Sequence, residues 1–150
     1  MVNEYRTKVF LDTNVLIDVF LQDRAYSRSS KIILQAIREH LLEGVITVQS
    51  LVDANYVLSK NGMVSQEAFF REVRHLMSFV NVEELGIFDV EEAISHPTGD
   101  FEDDLQFARA RYGFCDYIIT GDRQFQQCYQ NHPSGITICT PEEFVALMKQ

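Results

Sequence analysis

The stretch Lys8-Val9-Phe10-Leu11-Asp12-Thr13-Asn14-Val15-Leu16-Ile17-Asp18 narrows the choice of folds more than any other feature of the chain. A short apolar run ends on an acid and restarts at once with helical spacing, so a strand hands over to a helix through Asp-Thr-Asn. That handover puts the Asp12 carboxylate at the carboxyl end of a strand, where open α/β sheets bind their ligands. Similar alternation recurs along the chain. Val- and Ile-rich runs near Lys8–Leu11, Val45–Val48, Phe79–Val82, Tyr117–Thr120 and Ile136–Cys139 read as strands. Helices are expected near Val15–Leu21, Ser27–Leu42, Leu51–Ser59, Gln66–Met77, Val90–Ser95 and Glu102–Tyr112, with a short one after Asp122. A last helix starts at Thr140-Pro141-Glu142-Glu143, with a cap, a first-turn proline and a third-position acid, and is expected to run to the C-terminus. The pattern predicts an α/β fold: a central parallel sheet of about five strands flanked by helices.

At 150 residues and 46% hydrophobic, the chain has the size of one globular domain, 1–150, with a core that needs no disulfide. His96-Pro97-Thr98-Gly99 reads as a loop between helices, not a boundary. No apolar run approaches the roughly 20 residues of a membrane span, and Met1-Val2-Asn3-Glu4-Tyr5-Arg6 lacks the apolar core of a secretion signal. A cytoplasmic protein with no membrane association is expected. Cys115, Cys128 and Cys139 contain no C-x-x-C pair and are expected to be three buried thiols. His40, His75, His96 and His132 lack ligand spacing. The formal charge of −9 argues against a protein that coats nucleic acid electrostatically, yet bound divalent ions and a local basic face would still allow a nuclease. Arg24, Arg28, Lys31 and Arg38 could supply such a face, if they share one side of a helix. A solvated surface accounts for them equally simply.

Acids stand at expected helix starts in four places: Asp12, Asp53 in Ser50-Leu51-Val52-Asp53, the run Asp100-Phe101-Glu102-Asp103-Asp104, and Asp122 in Thr120-Gly121-Asp122. Each alone is accounted for as a cap. Ser50 with Asp53 has capping-box spacing, and a first-turn acid gains about 0.3–1 kcal/mol from the helix dipole. Their common address changes the weighing. In a parallel sheet with right-handed crossovers, helices run back against the strands and start at the sheet's carboxyl edge, so all four places open on one crevice. Two carboxylates about 4 Å apart repel by about 4 kcal/mol at an effective dielectric of about 20. Ser or Asn caps would avoid that cost, whereas Mg²⁺ or Mn²⁺ turns it into binding. Periodicity does not choose within the third group. Phe101, Leu105, Ala108 and Tyr112 form an apolar stripe bordered by Asp104, while Asp103 lies nearer Phe107 and Ala110.

Taken in order, Asp12-Thr13-Asn14-Val15-Leu16, Asp100-Phe101-Glu102-Asp103-Asp104-Leu105-Gln106, Asp116-Tyr117-Ile118-Ile119-Thr120-Gly121-Asp122 and Thr140-Pro141-Glu142-Glu143-Phe144 resemble a PIN domain over essentially the whole chain. This is the ribonuclease fold of the VapC-type toxins of bacterial toxin–antitoxin pairs. The resemblance implies a three-layer PIN-like fold with Asp12 as first acid, Asp53 as second, Asp103 as third and Asp122 as fourth. Asn14 then orients Asp12. Asp53 is one methylene shorter than the Glu usual in the family, which implies that it reaches the ion through water or helps to deprotonate that water. Comparison with the family favours Asp103 as third acid, leaving Asp100 and Asp104 as second choices, a cap and a surface acid. Thr120-Gly121-Asp122 lacks the Arg that many relatives carry there, although Arg123 follows.

The same resemblance implies one or two Mg²⁺ or Mn²⁺ ions held by Asp12, Asp103 and Asp122. It also implies hydrolysis of phosphodiester bonds in single-stranded RNA, an antitoxin protein as partner, and a homodimer. Tyr26, Tyr56 and Phe125 are candidates to stack on RNA bases, although aromatic residues in such segments more often serve the core. Two other readings compete. One is a PIN-like RNA- or protein-binding module with weakened catalysis, to which the shortened Asp53 and the acidic charge lean. The other is a phosphatase of the haloacid dehalogenase type, which also has an Asp after the first strand. That reading requires an acid where this chain has Asn14, and a further acid after Gly121-Asp122 that is missing.

Overall fold

A computed structural model describes residues 5–150; residues 1–4, part of the start read above as too polar for a secretion signal, lie outside them. Strand β1 (Lys8–Leu11) leads into α1 (Thr13–Phe20) and α2 (Ser27–Arg38), and β2 (Glu43–Thr47) into α3 (Val48–Lys60) and α4 (Gln66–Leu76). Next, β3 (Asn81–Glu83) leads into α5 (Ile87–Ser95) and α6 (Phe101–Tyr112), β4 (Tyr117–Ile119) into α7 (Arg123–Tyr129), and β5 (Thr137–Cys139) into α8 (Pro141–Met148). All pairings are parallel, in the order β3-β2-β1-β4-β5, so the expected five-stranded parallel sheet is present. Phe10 of β1 lies opposite Val45 of β2 on one side and Ile118 of β4 on the other.

Alternation along β1 creates the layers. Val9 and Leu11 join a core with Leu16, Ile33, Ile37, Ala54, Leu58 and Phe144, which packs α1, α2, α3 and α8 on one face. Phe10 joins Val45, Phe107, Ile118, Phe125 and Tyr129, which packs α6 and α7 on the other. A sheet buried on both faces explains why its strands read as continuous apolar runs.

Element boundaries moved where local hydrogen bonds outweighed periodicity. Helix α3 begins at Val48, not Leu51, because the Thr47 hydroxyl accepts the Ser50 N–H at 3.1 Å and caps the helix. The Ser50–Asp53 capping box is therefore absent. Helix α2 ends at Arg38, short of the expected Leu42, as the chain turns through His40 with φ at 62°. Strand β3 starts at Asn81, since the Val80 N–H still bonds to Leu76 at the end of α4, at 2.8 Å. Helix α5 starts early at Ile87, where the Asp89 carboxylate accepts the Gly86 N–H at 2.7 Å. The cap of α8 is as expected, with Thr140 and Glu143 satisfying each other's N–H groups, but the helix stops at Met148.

Two side-chain expectations are corrected. Cys115 and Cys139 are buried, which pushes both thiols up to about 12, but Cys128 is exposed. Arg24 precedes α2 and its Nε donates to the buried Asp18 at 2.6 Å, so only Arg28, Lys31 and Arg38 remain on the helix, all exposed. No helix among the described residues is long and apolar enough to cross a membrane.

Candidate active site

Chain direction reverses across the sheet between β1 and β4, the position at which doubly wound sheets open a crevice at their carboxyl edge. Asp12 sits there. Its N–H donates to Ile119 of β4 at 3.1 Å, which extends the ladder by one residue and fixes the side chain at the reversal point. Asp12 Oδ1 accepts the Thr13 N–H at 2.7 Å, while Oδ2 accepts the Asn14 amide at 2.9 Å and the Thr120 hydroxyl at 2.7 Å. Burial pushes the Asp12 carboxyl up from its ordinary range, and the bonds from Thr120 and Thr13 oppose that push.

The Asn14 amide donates to Asp12 while its Oδ1 accepts the Gly121 N–H at 3.0 Å. Thr120 is the node that motif reading passed over. Its hydroxyl donates to Asp12 and accepts the Asp122 N–H at 3.0 Å, linking the acids of β1 and β4 through one oxygen. Asp122 also caps α7, with Oδ1 accepting the Gln124 and Phe125 N–H groups at 2.9 and 3.4 Å.

The third group of acids divides three ways. Asp100 caps α6 as expected, accepting the Asp103 N–H at 3.0 Å. Asp103, half-buried, faces the crevice. Burial and the carboxylates of Asp100, Asp12, Asp122 and Glu102 push it up to about 7. Asp104 turns the other way and is no surface acid. It is buried, accepts the Thr98 N–H at 3.0 Å and the Thr98 hydroxyl at 2.5 Å, and takes a further hydrogen bond from Tyr129. This ties the loop before α6 to α7. The expected apolar stripe of α6 fails at both ends, where Phe101 and Tyr112 are 53% and 44% exposed; the buried positions are Asp104, Gln106, Phe107, Ala108 and Ala110.

Asp53 lies in the second turn of α3 and caps nothing; its Oδ1 accepts the Gln49 amide at 2.9 Å. Across the crevice Glu102 meets it in a carboxyl–carboxylate hydrogen bond. Burial, then Asp53, then Asp12 and Asp100 push Glu102 up to about 7. Gln106, one turn further along α6, brings its Nε2 to 3.4 Å from Glu102 and lies close enough to Asp12 to favour its charged form. Among the described residues, none of Asp12, Asp53, Glu102, Asp103 or Asp122 has a Lys, Arg or His partner within 4.0 Å.

A groove of about 530 Å³ leads out from Asn14, Gly121 and Asp122 past Arg24 and Tyr26. A Cβ at Gly121 would stand 3.2 Å from the Tyr26 ring, so a larger residue there requires that ring to shift by a few tenths of an ångström. Of the three stacking candidates, Tyr26 borders this groove, Tyr56 is 61% exposed on α3, and Phe125 is wholly core.

Residues 8–124 match the PIN domain as a family. The chain belongs to the PIN-domain family. Ribonuclease VapC1 of Aquifex aeolicus is 30% identical to this PIN domain over 145 residues, covering 91% of this chain and 92% of that protein. Among solved structures, the toxin–antitoxin complex from Klebsiella pneumoniae aligns at a TM-score of 0.61 with 19% identity, over 89% of this chain and 97% of its own. Mycobacterium tuberculosis VapC20, described as a sarcin-ricin loop cleaving toxin, aligns at 0.63 with 17% identity, over 79% and 93%. At those identities the two structures establish the shared fold. The chain is thus a VapC-like PIN domain whose acids gather at the carboxyl edge of the sheet.

Whether that edge suits a divalent cation is a question of donor chemistry. Every side chain presented is an oxygen donor, and several are held against their own repulsion. Among the described residues no three of them close into a ready-made cage. Mg²⁺ does not require one, because it keeps several waters and takes one or two carboxylates together with substrate phosphate. The residues fit a hard, largely hydrated ion.

Proposed function

We propose that this protein is a Mg²⁺- or Mn²⁺-dependent endoribonuclease that hydrolyses phosphodiester bonds of single-stranded RNA in the cytoplasm, as the toxin of a toxin–antitoxin pair. The observation that carries this reading is the buried Asp12 carboxylate at the β1–β4 reversal, surrounded by Asp103, Asp122, Glu102 and Asp53 with no basic partner among the described residues. Acids crowded at such cost are explained by a cation they share.

Asp12, Asp103 and Asp122 would hold the ion, with Asp53 acting through water. When bound, the ion lowers the pKa of its water and neutralises charge on the phosphate and leaving oxygen. The protein's own part is orientation and charge. Thr13, Asn14 and Thr120 fix the Asp12 carboxylate by three hydrogen bonds, so it needs no reorganisation when substrate arrives. Asp103, pushed up to about 7 by burial and by Asp100, Asp12, Asp122 and Glu102, would bind as the carboxylate, its repulsion offset by the ion. Tyr26 and Arg24 line the groove along which an extended strand would lie, the aromatic ring offering a base platform. The phosphatase alternative loses footing, because the amide of Asn14 is occupied in holding Asp12 and no acid stands in its place.

An antitoxin protein as partner is supported by the fold shared with the Klebsiella structure, a toxin–antitoxin complex. The competing reading, a PIN domain retained for RNA or protein binding, draws on the lack of a three-acid cage among the described residues and on the charge of −9. One experiment separates them: labelled single-stranded RNA incubated with and without Mg²⁺ or Mn²⁺, beside Asp12→Asn. Cleavage that requires both the ion and Asp12 is expected. Equal cleavage by the variant, or Mn²⁺ uptake that ignores Asp12, defeats the nuclease reading.

A further inference from the structure

Glu102 and Gln106 do work that neither capping nor packing accounts for. Asp100 already caps α6, so Glu102 is not required there, and no Lys, Arg or His among the described residues pairs with it. Adjacent side chains on a helix diverge by about 100°. Asp103 therefore faces Asp12 and Asp122 while Glu102 reaches towards α3 and bonds to Asp53. Gln106 stands one turn on from both. It is buried at 3% exposure, its Nε2 lies 3.4 Å from Glu102 Oε1, it stands close enough to Asp12 to favour that carboxylate's charged form, and its Oε1 has no partner. A Leu at this position would fill the space without burying an amide. An amide kept here, with its nitrogen on Glu102 and its buried oxygen unpaired, is a cost that packing does not explain.

We propose that Glu102 is a further acid of the catalytic centre, acting as a pair with Asp53 across the crevice, and that Gln106 is the positioning residue that holds Glu102 beside Asp12. This rests on the metal-dependent nuclease reading and deepens it. Asp53 is short and set in the second turn of α3. Glu102 brings a longer arm from α6 to the same place, so the α3 side of the centre is served by two carboxyl groups, not one. Glu102 also remains open to solvent, where a hydrated ion or a phosphate-bound water would stand.

The test uses the full chain and Mn²⁺ itself as probe, with calorimetry and electron paramagnetic resonance for binding and single-stranded RNA cleavage alongside. Glu102→Gln should weaken Mn²⁺ binding about tenfold or more while melting no lower than wild type in EDTA, so the loss is not one of folding. Gln106→Leu should weaken it about tenfold in the wild-type background but by less than about twofold further in Glu102→Gln, because the two act through one contact. A residue with a merely structural role would cost the same in both backgrounds. Gln106→Met, similar in length but without the amide, is the second variant should Leu fold poorly. Glu102→Gln binding Mn²⁺ within about twofold of wild type, or additive effects at Gln106, overturns the inference. Wild-type protein with no Asp12-dependent Mn²⁺ uptake overturns the nuclease reading and this inference together, whereas normal uptake insensitive to Glu102 overturns this one alone.

Discussion

Removing one charge from the acid crevice should make the protein more stable. Asp103 is held up to about 7 against an ordinary 3.8, by burial first and then by Asp100, Asp12, Asp122 and Glu102. Each tenfold in proton affinity is worth about 1.4 kcal/mol, so the full effect would be about 4 kcal/mol. Asp103 is only half-buried, and solvent and salt reduce this to about 1–2 kcal/mol. The direction with pH follows from linkage. Folded Asp103 binds its proton more tightly than the unfolded chain does, so folding takes up a proton between pH about 4 and about 7. Stability falls as pH rises through that window; the penalty is absent below it and complete above it. Asp103→Asn never ionises. In EDTA at pH 8 it should melt about 3–6 °C above wild type, and at pH 4 the two should coincide. Added Mg²⁺ should narrow the gap at pH 8 by stabilising wild type alone. Circular dichroism melts at both pH values read the outcome. A variant that melts at or below wild type at pH 8, or gains as much at pH 4, refutes the claim that these acids repel one another.

Asp104→Ala should act in the opposite sense, costing about 1–3 kcal/mol in urea denaturation, since it leaves the buried Tyr129 hydroxyl unpaired and releases the exposed Thr98. Cleavage per folded molecule should be retained, and loss of activity without loss of stability would place Asp104 in the centre. Thr120→Val deletes the hydroxyl that joins Asp12 to the Asp122 backbone while keeping its shape. Mn²⁺ affinity should fall about tenfold, with a stability cost of about 1–2 kcal/mol; unchanged affinity in calorimetry would show that the node positions nothing.

Asp103 and Asp104 show what could be read from the residues and what could not. They are neighbours of one chemical type on one helix, and they have opposite roles: one repelled by acids across the crevice, the other buried and satisfied by Thr98 and Tyr129. Strand and helix order was legible because both faces of the sheet are buried, which leaves an uninterrupted apolar signature in each strand. The crevice was legible for a topological reason, since parallel strands bring every following helix to one edge. Asp12 and Asp122 could be placed at that edge from topology, whereas the place of Asn14 beside Asp12 came from the family resemblance.

Assigning neighbouring acids on α6 was harder. Periodicity gives the angle of a side chain about its own helix but not what lies opposite, and contacts from Thr98 and Tyr129 decide for Asp104. Glu102 was passed over for the same reason. Its partner Asp53 belongs to α3, 49 positions earlier in the chain, and no local spacing joins the two. The physical signal that finds such a pair is an unneutralised cluster. Helix caps satisfy N–H groups, and surface acids meet solvent or a base. An acid that meets another acid, with neither Lys nor Arg nearby among the described residues, is held by the fold at a cost in stability, and a bound cation is the simplest agent that repays it.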